Sequence, residues 1–186
     1  WKPDLFTGPS LSGKTLGIIG LGRIGKAVAE RAKAFGMNIV YCNRKPLLPS
    51  EEEKFNVRYL SLEELLRSSD FISLHVPLTR ETYHLLNEKR LSMIKTGAVL
   101  INTARGPIVN EAALIESLRS GRLAAAGLDV YEEEPEVPQE LIDLGNVVLL
   151  PHIGSATKEA RTEMAIMVGR NVAAVLEGKE PPNPVV

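Results

Sequence analysis

The run Gly20-Leu21-Gly22-Arg23-Ile24-Gly25 constrains this chain more than any other stretch. It follows a short β-rich apolar segment and opens a stretch in which Ile24, Val28, Arg31, Ala32 and Phe35 recur at helical spacing, closed by Gly36. A glycine pattern between a strand and a helix suits a dinucleotide. Gly20 permits the tight turn, Gly22 lets the backbone approach a pyrophosphate, and Gly25 lets the helix pack close to the strand. The helix N-terminus then offers N–H groups and a positive dipole end to the phosphates, and Arg23 and Ile24 belong to the same cofactor-contacting turn. The plain alternative is a glycine-rich turn that holds no ligand.

The rest of the chain repeats the alternation. Strands are expected over residues 15–20, 38–43, 71–76, 98–102, 124–130 and 147–150. Ser61 with Glu64 makes a capping box for a helix over 62–68, Asn110 caps a helix over 111–120 that Gly121 ends, and a last helix runs over 155–177 to Gly178. Short buried strands separated by amphipathic helices read as an α/β chain, a Rossmann-type doubly wound parallel sheet with helices on both faces in three layers. Residues 1–14 read as an arm or linker, 15–178 as the NAD(P)-binding domain and 179–186 as a tail.

Charge and length narrow the function classes. In 186 residues, 22 Lys and Arg balance 23 Asp and Glu, so no polybasic field exists to hold nucleic acid. No apolar run approaches the roughly 18 residues of a membrane span, and Cys42 is the single cysteine, so a cytoplasmic protein without membrane contact is expected. His75, His84, His152 and Cys42 lack metal-ligand spacing, so no metal is expected. His75 reads as a structural histidine, His84 as ordinary surface, Cys42 as a small residue at a buried strand end. Glu51 to Glu53 and Glu132 to Glu134 read as solvated acidic runs.

Where the second strand ends, a carboxylate would accept hydrogen bonds from the adenine ribose and repel a 2′-phosphate. Here that place holds Asn43, followed by Arg44 and Lys45, a neutral acceptor and two cations that favour NADP, with NAD as the alternative. The competing reading is a basic loop facing water. Three further polar residues follow expected strand ends: Arg105 in Asn102-Thr103-Ala104-Arg105-Gly106, Glu134 before Pro135, and His152 in Pro151-His152-Ile153-Gly154-Ser155. In open α/β sheets the carboxyl ends of the strands line the ligand crevice. Singly, each is also explained as a surface or loop residue.

These motifs in this order, with His75-Val76-Pro77-Leu78-Thr79 and Gly127-Leu128-Asp129-Val130-Tyr131, resemble the D-isomer-specific 2-hydroxyacid dehydrogenase family, in its glyoxylate/hydroxypyruvate reductase-like branch. The resemblance covers nearly the whole chain. It implies that Arg105 binds the carboxylate and keto oxygen of a small 2-oxo acid, that His152 is the general acid, and that Glu134 pairs with that histidine. It implies that Asp129 bonds the nicotinamide carboxamide, that backbone around Val76, Pro77, Thr103 and Ala104 passes beside the nucleotide, and that Ser155 lies near the nicotinamide. It implies a homodimer built mainly through the cofactor domain, the arm and residues 79–95 taking part.

Family members also have a second, substrate-binding lobe formed from the two ends of the chain. This sequence has no counterpart to it, so cofactor binding with little or no turnover is expected of the chain alone. The alternatives are another D-2-hydroxyacid dehydrogenase, for instance of phosphoglycerate type, or a nucleotide-sensing module like the co-repressors of this fold.

Overall fold

The computed structural model describes residues 8–184, so the outer ends of the expected arm and tail lie outside the described residues. The chain divides into two units between Pro151 and His152. The first holds seven strands, β1 (Thr15–Ile19), β2 (Asn38–Cys42), β3 (Arg58–Tyr59), β4 (Phe71–Leu74), β5 (Ala98–Asn102), β6 (Leu123–Leu128) and β7 (Val147–Leu149). They form one sheet in the order β3-β2-β1-β4-β5-β6-β7, every neighbouring pair parallel. Its helices are α1 (Arg23–Ala34), α2 (Pro49–Phe55), α3 (Leu62–Ser68), α4 (Glu88–Met93), α5 (Glu111–Arg119) and α6 (Gln139–Ile142). The second unit holds α7 (Lys158–Leu176).

Strand periodicity sorts the core into two clusters. Leu16, Ile18, Ile39 and Tyr41 pack with Ala29 and Ala32 of α1, whereas Ile19, Val40, Ile72, Leu74 and Leu100 pack with Leu65 and Leu66 of α3, Leu91 of α4 and Leu114 of α5. Neighbours in sequence such as Ile18 and Ile19 point to opposite faces, which is why both faces of this sheet are covered and the strands read as continuous apolar runs. The order reverses between β1 and β4, and the crevice outside the carboxyl ends of these two strands is where such sheets hold ligands.

The local signals act as read. Ser61 accepts from Glu64 N and the Glu64 carboxylate accepts from Ser61 N, closing the capping box of α3. Asn110 Oδ1 accepts from Ala113 N at 2.9 Å, and α5 ends before Gly121, whose φ is 73°. Several strands stop one or two residues short of the expected ends because Gly20, Asn43, His75 and Val76 leave the ladder to build loops. α7 starts at Lys158 and not at 155, because Thr157 supplies its N-cap by accepting from Ala160 N. β3, α2, α4 and α6 had no separate sequence expectation; β3 is only two residues long, too short for periodicity to register. Gly13 and Lys14, counted with the arm, are bonded into the first unit through Gly13 N to Gly36 O and Asn38 N to Lys14 O.

Candidate functional site

The glycine cradle lies at the carboxyl end of β1. Gly20 takes φ of 98°, and a Cβ there would stand 2.7 Å from the carbonyl group of His75, so only glycine lets the turn pass β4's end. A Cβ at Gly25 would strike the carbonyl oxygen of Gly20, which brings α1 tightly onto the turn. Gly22 differs: nothing stands within 4 Å of an added Cβ, so its missing side chain leaves open space over the helix end. Gly22 is the N-cap of the 12-residue α1, no side chain caps the helix and its first turn carries no acidic residue. Arg23 and Ile24 are exposed there. An uncapped, acid-free helix start beneath open space is the arrangement that accepts a pyrophosphate, so these residues fit a dinucleotide.

The end of β2 is wired to that loop. Asn43 Oδ1 accepts from Leu21 N at 2.7 Å, and Gly20 N donates to Cys42 O at 2.9 Å. The sequence offers Asn43 as an acceptor for the cofactor; its oxygen already accepts from the glycine loop, and its amide nitrogen is a donor. Arg44 and Lys45 are exposed. Tyr41 organises the following segment: its hydroxyl donates to Glu52 at 2.6 Å and accepts from Leu47 N at 2.7 Å. Burial, reinforced by the Glu52 carboxylate, pushes the Tyr41 phenol up to about 12. Glu52, with Glu51 bonded to Lys26 at 2.7 Å, is therefore part of this scaffold, which corrects the reading of that run as merely solvated.

Across the switch point stand His75, Val76 and Pro77. His75 Nε2 lies 2.9 Å from Ser73 Oγ, and burial pushes the imidazole below its ordinary value, so it stays neutral at neutral pH. This agrees with a structural histidine. Glu81, farther along this segment, is held below the usual carboxylate range by the Thr79 hydroxyl first and by the charge of Arg44 among its lesser causes.

Arg105 and Glu134 follow β5 and β6. Asn102, 1% exposed, donates from Nδ2 to Arg105 O at 3.0 Å and accepts from Ala104 N at 3.1 Å, locking Thr103 and Ala104 into a tight loop. Sequence reading passed over Asn102, although an Asn at a strand end before a polar loop is a recognisable Asx-turn signal. The exposed Arg105 side chain bonds Ala104 O through one Nη, at 2.6 Å. The Gly106 Cα packs so closely on the Tyr131 carbonyl that a Cβ would overlap it, which joins the Arg105 loop to the loop that carries Glu134. Asp129, 2% exposed, receives its backbone bond from this pairing as well, its N donating to Asn102 O at 3.0 Å. Glu134 Oε1 accepts from Tyr131 N at 3.2 Å, and the Tyr131 hydroxyl donates to Leu150 O at 2.8 Å.

Two expectations need correction here. His84 is not ordinary surface, because its Nε2 lies 2.6 Å from Glu132 Oε1. Glu132 is partly buried in that contact and so is not simply solvated. In the second unit, His152 and Ser155 are exposed residues of the loop before α7. His152 takes φ of 54°, a left-handed backbone uncommon outside glycine and often met where function is carried.

A family model described as the D-isomer specific 2-hydroxyacid dehydrogenase, NAD binding domain, matches residues 1–154. The chain belongs to this family. It is 56% identical over 183 residues to a glyoxylate reductase of Thermococcus litoralis, an alignment that takes in 98% of this chain and 55% of the relative. A solved Thermus thermophilus protein is 54% identical with a TM-score of 0.91, over 100% of this chain and 58% of that one. An NADPH-dependent glyoxylate/hydroxypyruvate reductase of Sinorhizobium meliloti, solved with citrate, is 40% identical with a TM-score of 0.86, over 95% of this chain and 55% of that one. The chain thus spans about half the length of the curated relatives it matches. Membership in a dehydrogenase NAD-binding family makes a nicotinamide dinucleotide the cofactor class of this domain. Among the described residues, no helix is long and apolar enough to cross a membrane.

Proposed function

We propose that this chain is the cofactor-binding part of a reductase that converts small 2-oxo acids, of glyoxylate or hydroxypyruvate type, into D-2-hydroxy acids with NADPH. The observation that carries this reading is the pairing of the Arg105 and Glu134 loops, at the carboxyl ends of β5 and β6, through Gly106 and Tyr131. That places an exposed guanidinium and an exposed carboxylate on the same edge of the sheet as the glycine cradle.

A bound nicotinamide supplies a hydride to the carbonyl carbon. The protein's part is recognition and proton supply. Arg105 offers a planar fork of donors to the substrate carboxylate and keto oxygen. His152 gives a proton to the keto oxygen, with Glu134 proposed as its supporting carboxylate. Asp129 bonds the nicotinamide carboxamide, with Ser155 nearby, and the backbone of Val76, Pro77, Thr103 and Ala104 lines the nucleotide. A carboxamide nitrogen at Asn43, with Arg44 and Lys45 exposed beside it, supports recognition of a 2′-phosphate, which only accepts hydrogen bonds. A homodimer through this domain belongs to the same proposal; Leu78 and Tyr83 are exposed apolar groups in and beside the segment expected to take part.

The test is NADPH oxidation by glyoxylate and hydroxypyruvate, measured on the protein as its gene encodes it. His152→Ala is expected to cut turnover by about a hundredfold or more with cofactor affinity kept. Arg105→Lys is expected mainly to raise KM for the 2-oxo acid. Unchanged turnover in His152→Ala contradicts the assignment.

A further inference from the structure

His84 takes no part in the chemistry proposed above, but it is bonded to the loop that carries Glu134. Asn110 caps α5 with its Oδ1, and that bond to Ala113 N settles which way the amide points. Its Nδ2 then faces His84 Nδ1 at 3.3 Å. An amide nitrogen only donates, so Nδ1 must accept and carries no proton. The ring proton sits on Nε2, 2.6 Å from Glu132 Oε1. The bonds at Nδ1 and Nε2 fit the Nε2–H tautomer, which donates to Glu132.

Glu132 is committed on every side. Its second oxygen accepts from Glu111 N at 3.0 Å, and its own N donates to Glu111 Oε2 at 3.4 Å. Burial first, and the neighbouring Glu132 and Glu133 charges after it, raise the Glu111 carboxyl above its ordinary value. Tyr131 and Glu134, on either side of Glu132 and Glu133, are joined by the bond from Tyr131 N to Glu134 Oε1. Glu132 lies inside the turn that this bond closes.

His84 is equally fixed. Its φ is 46°, its ring stacks on Tyr83 with centroids 4.1 Å apart, and its N donates to Pro107 O at 2.8 Å. Leu86 N to Ile108 O and Asn110 N to Leu86 O continue that pairing along the chain that follows Arg105. A left-handed backbone at a non-glycine residue persists only where its surroundings over-determine it.

We infer that His84 is a positioning residue, which as its Nε2–H tautomer holds Glu132 and so sets where the Glu134 carboxylate stands beside the Arg105 loop. What Glu134 does there rests on the function proposed above; that His84 places it does not. Nitrogen-edited NMR of the imidazoles and carboxyl-carbon NMR of Glu134 across a pH titration, both on the whole chain, test it. The wild type is expected to show an unprotonated Nδ1 and a protonated Nε2 at His84 near neutral pH. His84→Phe keeps a ring for Tyr83 and removes the donor, so the Glu134 midpoint is expected to move by about half a pH unit or more. His84→Gln restores a donor and is expected to bring the midpoint back.

A proton on Nδ1 in the wild type, or an unmoved Glu134 in folded His84→Phe, overturns the inference. If His84→Phe does not fold, His84→Asn, whose shorter amide does not reach Glu132, takes its place with the same two readings. Glu134→Gln in the glyoxylate assay separates the two proposals. Unchanged turnover there removes the catalytic reading and leaves the positioning measurement standing.

Discussion

The carboxyl ends of β1 and β2 are shaped by backbone, those of β5 and β6 by side chains. At the first, three glycines, an uncapped helix end and the single amide of Asn43 make the cradle, and little there depends on the bulk of a side chain. At the second, Asn102, Tyr131, Glu132 and His84 bond to backbone and to one another to fix two loops that bear charged groups. The difference fits the ligands proposed for them. A pyrophosphate is met by N–H groups already aligned by a helix, whereas a small 2-oxo acid needs charged groups held in place before it arrives.

If the comparison holds, the largest effect comes where the side-chain region is packed backbone on backbone. Gly106→Ala puts a Cβ into the Tyr131 carbonyl and is expected to cost about 3 kcal/mol or more in denaturant unfolding. A midpoint near wild type breaks the claim that these two loops are rigidly joined. Asn102→Ala comes next, because it deletes two hydrogen bonds at a site with 1% exposure, and an expected loss of about 2 kcal/mol is read in the same experiment.

At the backbone region the effects should fall on ligand more than on fold. Asn43→Leu removes the acceptor from Leu21 N, with an expected cost of about 1 kcal/mol in stability and about tenfold in NADPH affinity. Asn43→Asp keeps that acceptor and adds a charge. Stability is expected to stay close to wild type while the NADPH to NADH affinity ratio falls about tenfold, read by calorimetry. Equal losses in both variants blur the distinction between holding the loop and choosing the cofactor.

The smallest effect is a dependence on pH. His75 is pushed below its ordinary value by burial, so the unfolded chain takes up this proton more readily than the folded one. Stability is therefore lost as pH falls below the unfolded value of about 6.5, and the loss levels off below the folded value. His75→Gln should flatten the fall in thermal midpoint between about pH 7 and about pH 5. An identical slope in the variant removes His75 as its source.

The two regions also differ in how far the sequence exposes them. Glycines at Gly20, Gly22 and Gly25, the Ser61 and Asn110 caps and the apolar strands are local signals, set by residues within a few positions of one another. They are enough for six of the seven strands and for the turn from Gly20 to Gly25. The bond from Leu21 to Asn43 spans 22 residues and that from His84 to Glu132 spans 48, so neither leaves a mark in any short window. His84 accordingly reads as surface and Glu132 as solvated until the fold brings them together. The short β3 and α6 were lost for a different reason, since two and four residues are less than a period needs to show itself.

The central claim is that this sheet holds a nicotinamide dinucleotide and prefers the one with a 2′-phosphate. Calorimetric titration of the chain with NADPH and separately with NADH, at two salt concentrations, tests it most directly. The account predicts saturable binding of both, tighter for NADPH, with an advantage that shrinks as salt screens Arg44 and Lys45. Equal or tighter binding of NADH contradicts the 2′-phosphate preference, and no binding of either contradicts the cradle itself.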